Sequence, residues 1–242
     1  MHYGDKAFTG MMYSKVLSAL LVNSLGFDIL FQDLDIVWYK HPLALFNGET
    51  KTYIDKDIIL QDDGSRSQRF SPSFANSGFY FARYNDRTQY LFVSLLYSMG
   101  MVLESGSHQK ILIALMNEHS SKYGLRVEIL RGPEFPAGKE FHRNKSLMKD
   151  IIQKRKTPYL FHMSWTKNKV NKIKFFKQMG VWHVKDSCEG EHVLRSLDKE
   201  RFGLKELCCS MEPLISCSYK DKPSVIPCKE SPSIDENGRS FW

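Results

Sequence analysis

Two acids one residue apart, Asp33 and Asp35, sit in the stretch "LFQDLDIVWYKHP" between two apolar runs. A strand alternates its side chains with period two, so both carboxylates fall on one face while Leu34 and Ile36 take the other. Like charges held that close repel and raise each other's pKa unless a cation lies between them. A divalent metal is the simplest resolution, and a pair of solvated acids at a strand end is the alternative that a lone D-x-D leaves open. The flanks "FDIL" and "IVWY" are β-branched, aromatic and apolar, as a buried strand is, and His41-Pro42 ends the run. Open α/β sheets bind ligands beyond the carboxyl ends of their strands. Acids near such an end would hold a metal and its anionic ligand in that crevice.

The elements that must position these acids are readable from periodicity. Phe8, Met11, Met12, Leu17, Leu20, Leu21 and Leu25 recur at helical spacing before Gly26, which predicts a helix closed by a glycine. "LALFNGE" reads as a short helical turn, and "DIILQDDG" as a strand ending in acids with its turn at Gly64. "SPSFANSGFYFARYN" reads as a turn-rich entry into a strand over Phe79 to Arg83. Thr88 to Met101 and His108 to His119 read as helices, "RVEIL" as a strand and "RGPEFPAGKEF" as a loop. "TPYLFHMSW" is then a strand and loop, followed by a Lys-rich helix from Asn168 to about Met179. Strands alternating with helices predict an α/β fold with a largely parallel sheet.

Composition sets the outer bounds. A chain of 242 residues, 42% of them hydrophobic, is enough for a sizeable core and argues against disorder. No apolar run reaches the ~18 residues of a membrane span. The longest, Tyr90 to Leu103, suits a buried helix, and "MHYGDKAFTG" has neither the basic nor the apolar region of a signal peptide. The formal charge of +7 is local: Lys139 to Lys185 holds 13 Lys and Arg against two acids, a net of +11, which leaves the remainder at −4. A solvated basic surface, an anionic ligand such as a diphosphate, and nucleic acid are the readings of such a run. The absence of zinc-finger spacing, RNP-type aromatics or a basic zipper counts against nucleic acid. All five cysteines, Cys188, Cys208, Cys209, Cys217 and Cys228, lie in the last 55 residues, in a segment rich in Pro, Ser and charge. That pattern predicts a loop-rich tail with disulfides, made in an oxidising compartment, over a zinc site, because Cys208-Cys209 does not give C-x-x-C spacing.

In order along the chain, "LFQDLDIVWYKHPL", "FANSGFYFAR", "HQKILIAL", "EFPAGKEF" and "FHMSWTKNKVNKIKFFKQMGVW" resemble the nucleotide-diphospho-sugar transferase family. These are the GT-A type glycosyltransferases that include plant cell-wall xylosyl- and arabinosyltransferases. The likeness runs from about Tyr3 to Asp186, which gives a catalytic domain over residues 1–186 and a Cys-rich tail over 187–242. It implies a sugar-nucleotide donor, a glycan or glycoprotein acceptor, a divalent cation that is usually Mn²⁺, and transfer with retention of anomeric configuration. By the family pattern Asp35 holds the ion, Asp33 reaches the ribose or shares the metal shell, and His162 completes the metal site. A histidine ligand favours Mn²⁺ over Mg²⁺, which prefers oxygen and water. Lys172 matches a lysine near the diphosphate, and Asn76 a position near the donor sugar. Gln109 matches a contact to that sugar or a front-face stabiliser. Plant members commonly carry Asp-Gln where this chain has His108-Gln109, so the donor cannot be copied from them. On residue type alone His162 reads first as a hydrogen-bonded core histidine and Asn76 first as a turn asparagine, while Trp165 reads as a core residue or a pocket wall.

The resemblance also implies a Golgi or secretory-lumen setting, with a membrane anchor and further βα units ahead of the D-x-D strand. Only 32 residues precede Asp33, so the chain is expected to begin inside its catalytic domain, with an unpaired sheet edge and an incomplete base pocket. Membrane association would then depend on a segment outside this chain. Two rival readings stand beside the transferase. A haloacid-dehalogenase-type phosphatase also ends a strand in D-x-D-x-[TV], which "DLDIV" satisfies, but its later Gly-Asp motif has no counterpart after Asp35. A carbohydrate-binding relative without turnover is the other.

Overall fold

The structure, a computed structural model, describes residues 6–46, 53–166, 169–188, 208–215, 218–219 and 222–223. The chain divides into two compact units, Met1–Asn144 with Thr157–Trp165, and Lys145–Lys156 with Thr166–Trp242.

In the first unit the apolar repeat at the start of the chain forms a helix over Lys6–Ser24 (α1), and Gly26 follows with φ +91°. Strands Ile29–Gln32 (β1), Ile58–Asp62 (β3), Ala75–Ala82 (β4) and Val127–Leu130 (β5) make a four-stranded sheet in the order β1-β4-β3-β5. Strands Ile36–Trp38 (β2) and Leu160–His162 (β6) pair separately as an antiparallel ribbon. Helix Asp86–Tyr97 (α3) starts at a capping box, in which the Asn85 side chain accepts from Arg87 N and Thr88 N. Such a cap is worth about 1 kcal/mol. Ser98 separates α3 from Met99–Ser105 (α4), so the apolar run at Thr88 to Met101 is two helices. Helix His108–Tyr123 (α5) ends at Gly124, whose φ of +67° closes it. Pro42–Phe46 (α2) is the short turn expected there, and the end of the "RGPEFPAGKEF" loop coils into Gly138–Arg143 (α6).

Period-two alternation divides the core. Ile58 and Leu60 of β3, with Tyr80 and Ala82 of β4, face a cluster filled by Met12, Val16, Leu91, Phe92, Leu112 and Met116 from α1, α3 and α5. Ile59, Phe79 and Phe81 point to the other face and pack with Phe46, Phe135 and Leu160. Burying each such side chain contributes about 1.5–3 kcal/mol.

The α/β class holds, but the sheet is mixed rather than largely parallel. β1 and β3 both run antiparallel to β4, and β3 with β5 is the one parallel pair of this sheet. The connections give the reason. Between β3 and β4 lies a loop whose only helical element is the 3₁₀ turn Gln68–Phe70, so the chain returns directly, whereas α3, α4 and α5 carry it past β3 to β5, which runs opposite to β4 and therefore parallel to β3. "FDILFQDLDIVWY" is likewise two strands. Pairing with β4 ends at Gln32 opposite Phe79, Leu34 is fully exposed in the turn that follows, and Ile36–Trp38 then pairs with β6.

The second unit contains Lys145–Ile152 (α7), which buries Leu147, Met148 and Ile151, and Lys169–Met179 (α8). A disulfide joins Cys188 to Cys208, and Cys209 is an exposed thiol. Cys217 and Cys228 lie outside the described residues. Among the described residues no helix is long and apolar enough to cross a membrane.

Candidate active site

Asp33 and Asp35 lie in the turn between β1 and β2, and the ribbon of β2 with β6 brings His162 to them across the chain. Ile36 pairs with His162 in that ribbon, and Met163 N donates to Asp35 O at 2.9 Å. One ligand atom from each of Asp33, Asp35 and His162 lies within 4.8 Å of the others. The carboxylates converge as their spacing predicts, although a turn rather than a continuous strand sets the geometry. His162 is almost fully buried, and its Nε2 is 3.4 Å from Asp35 Oδ1. Two carboxylates and an imidazole suit a divalent ion, since donors on opposite sides of one ion with bonds of about 2.2 Å stand about 4.4 Å apart.

A bulge in β4 brings a third wall to the site. The β3/β4 register shifts between Leu60, opposite Tyr80, and Gln61, opposite Asn76. The displaced Ser77-Gly78 segment meets the acidic turn, where Asp33 N donates to Gly78 O at 2.7 Å. A Cβ on Gly78 would lie 2.7 Å from Asp33 Oδ2, 2.8 Å from His162 Cε1 and 2.9 Å from Asn76 Oδ1. Gly78→Ala is therefore expected to displace the Asp33, His162 and Asn76 side chains, lowering the affinity for added Mn²⁺ and costing about 1–3 kcal/mol of stability. Manganese titration and thermal unfolding measure both, and wild-type affinity in a folded Gly78→Ala protein would show that the walls yield.

Beside these groups runs a polar network centred on the buried Asp63 and Asn76. Asn76, read as a turn residue on its own, is a strand residue: its Oδ1 accepts from Gly78 N at 2.7 Å, and its Nδ2 donates to Asp63 Oδ1 at 2.9 Å. Gln109, at the start of α5, donates through Nε2 to the same Asp63 oxygen at 3.2 Å. Its Oε1 accepts from Ser77 N and Oγ at 3.1 and 3.2 Å. Trp165 is partly exposed, sits at φ +64°, and donates Nε1–H to Asp63 O at 2.8 Å. Asp63 thus ties together three residues that the sequence reading singled out, yet it was not among them. Its only sequence signal is the second acid in "LQDDG".

Lys15 was missed as well. It stands on α1 next to core residue Val16, and its ammonium pairs with Asp33 Oδ1. His108 turns into the helix layer instead of presenting a charge. It is buried with Nδ1 2.8 Å from the Met12 sulfur, and burial, with a smaller contribution from Lys15, pushes its pKa down to about 4. It is therefore neutral at pH 7. Lys172 belongs to α8 in the second unit.

This mixed α/β domain gathers two acids and a histidine at the end of a strand, beside a buried asparagine, a half-buried glutamine and a third acid. The chain matches the nucleotide-diphospho-sugar transferase family over residues 1–176 and belongs to it. It is 29% identical over 208 residues to the UDP-galactose:fucoside alpha-3-galactosyltransferase of Dictyostelium discoideum, a stretch covering 76% of this chain and 30% of that protein. It is 30% identical over 89 residues to the beta-arabinofuranosyltransferase RAY1 of Arabidopsis thaliana, covering 36% of this chain and 16% of the other. The chain thus spans less than a third of these relatives' length. No solved structure matches it at a significant level.

Proposed function

We propose that this chain carries the donor-binding and catalytic part of a metal-dependent glycosyltransferase. It would move a sugar from a nucleotide-diphosphate donor to a glycan or glycoprotein, with retention of configuration. The observation that carries the proposal is the convergence of Asp33, Asp35 and His162 on one small volume in a chain of this family. Those three residues would hold the ion, and a ligand set that includes imidazole makes Mn²⁺ the first candidate. A divalent ion there would stabilise the negative charge that a departing nucleoside diphosphate gains.

The remaining roles fall to the protein's own groups. Asn76 and Gln109 have their amides fixed by Asp63, Ser77 and Gly78, so they would meet the donor sugar without reorganising. Gln109 is the front-face group in this reading and Asp33 shares the metal with Asp35, while the diphosphate role of Lys172 is what the family resemblance implies. Because His108 is buried and neutral, selection of the sugar would rest on Asp63 and the two amides. The Cys188–Cys208 disulfide supports a site of action in an oxidising compartment, and the Golgi lumen is the one that the family resemblance implies.

Donor hydrolysis tests the proposal. With UDP-galactose as the first donor and a panel of sugar nucleotides behind it, slow release of nucleoside diphosphate is expected in Mn²⁺ and not in EDTA. Preference for phosphomonoesters would indicate a phosphatase, and saccharide binding without turnover of any donor would indicate a binding protein.

A further inference from the structure

Gln61 lies one residue before the end of β3 and is fully buried. Its amide nitrogen is 3.0 Å from Phe135 O and 3.2 Å from Pro136 O. Carbonyl oxygens only accept, so the NH₂ group must face them and Oε1 must face the other way. There Oε1 meets His162 Nδ1 at 2.8 Å. An amide oxygen also only accepts, so Nδ1 must carry a hydrogen. Pro136 O receives a second bond, from His162 N at 3.1 Å, so the imidazole's own backbone and the amide that orients the ring are registered to one segment.

We propose that Gln61 is a positioning residue that confines the neutral imidazole of His162 to its Nδ1–H tautomer, leaving the Nε2 lone pair directed at Asp33 and Asp35. Two forms of the ring satisfy Gln61, the Nδ1–H tautomer and the imidazolium. In both, the proton that can be lost or absent is the one on Nε2, where a cation would need the lone pair. The form that Gln61 excludes carries its hydrogen on Nε2 and would present an N–H to that position. A partner on the far nitrogen is what gives a metal-binding histidine its orientation and basicity. The side-chain type follows from the setting. Only an amide can donate to two carbonyls and accept from a ring nitrogen at once, whereas an apolar residue would leave Phe135 O without this donor and a carboxylate would bring charge into a buried strand.

The functional consequence rests on the metal reading of Asp33, Asp35 and His162, but the tautomer is a property of the chain without any ion, and the two can fail separately. In metal-free protein labelled with ¹⁵N-histidine, at a pH that deprotonates every imidazole, His162 is expected to show a protonated Nδ1 and an unprotonated Nε2. Gln61→Met, close in volume and lacking the amide, is expected to shift His162 toward the Nε2–H form and to lower Mn²⁺ affinity by about 10- to 100-fold. Gln61→Glu, which keeps an oxygen facing Nδ1, is expected to retain the wild-type tautomer. An Nε2–H signal in the wild type overturns the proposal, and so does an unchanged tautomer or unchanged Mn²⁺ affinity in Gln61→Met. If Gln61→Met does not fold, the wild-type spectrum alone decides. An Nδ1–H tautomer in a wild-type protein that takes up no Mn²⁺ would instead overturn the metal reading and leave the tautomer assignment standing.

Discussion

Asp35→Asn is expected to remove Mn²⁺-dependent sugar transfer by at least about a thousandfold, roughly 4 kcal/mol of transition-state stabilisation, while the protein stays folded. The backbone of Asp35 does its structural work independently of the carboxylate, since Met163 N bonds to its carbonyl oxygen at 2.9 Å. Asparagine keeps the size of the side chain, so the turn between β1 and β2 has no steric reason to change. What is lost is a negative charge placed 3.4 Å from His162 Nε2 and opposite Asp33. A neutral amide oxygen is a much weaker partner for a divalent ion than a carboxylate. Replacing Asp33 would also break its pairing with Lys15 and so disturb α1. Turnover across a Mn²⁺ titration, with circular dichroism on the same samples, measures the effect. Near-native turnover in Mn²⁺ would remove the metal from the mechanism.

The parts of this site that were legible in the sequence are those whose signal is local. Asp33 and Asp35 announce themselves by spacing, α1 by an apolar repeat that closes on Gly26, and α5 by its apolar repeat, although it runs on past His119 to Tyr123. Strand segments were legible for the same reason, but not their directions or partners. An apolar run says that a strand is buried, whereas the choice between parallel and antiparallel neighbours depends on what the connections can span. Reading the D-x-D segment as a single strand failed on this point: nothing local in "FQDLDIV" says that the strand before the acids pairs with β4 and the strand after them with β6.

Residues that support the site were hidden by distance along the chain. Gln61 acts on His162 from 101 positions away, and Asp63 meets Gln109 from 46. Each is an ordinary polar residue in its own neighbourhood and acquires a role only once β3, β4, β6 and α5 are assembled. Gly78 shows the same limit from the other side. Its value is the lack of a Cβ against Asp33 and His162, a constraint that exists only where two remote segments meet. Recognition of ordered motifs supplied His162, Asn76 and Gln109, and the fold explains why those motifs occur together. They line one end of the same small sheet and its ribbon.

Away from the site, the largest expected loss of stability belongs to Asp57→Ala, at about 3–4 kcal/mol. Asp57 is fully buried just before β3, and its carboxylate accepts from Arg87 Nε and Nη2, from Arg126 N, Nε and Nη2, and from Asn85 Nδ2. These bonds tie the start of β3 to the cap of α3 and to the chain entering β5, so three connections of the first unit meet at one side chain. Both arginines keep partial access to water, with side chains 37% and 50% exposed, which limits the cost of leaving them unpaired and holds the figure below that of a wholly buried pair. The main loss is the set of bonds to one desolvated carboxylate. Burial alone would raise the pKa of Asp57, but hydrogen bonds from Arg87 and Arg126 outweigh it and hold the group well below the usual carboxylate range. A carboxyl whose folded pKa is depressed contributes its stability above its unfolded value, about 3.9, and loses it as the pH falls further toward the folded value. Wild-type unfolding free energy should therefore fall steadily below about pH 4. Asp62, lowered in the same direction by Arg66 and Gly64 against the opposing effect of burial, adds to the slope. In Asp57→Ala the protein should be weaker at pH 7 and its stability should change less between pH 5 and pH 2, because the group that titrates is gone. Denaturant unfolding of both proteins across that range gives the comparison, and an Asp57→Ala curve parallel to the wild type would show that the arginines do not hold this carboxylate ionised in the folded chain.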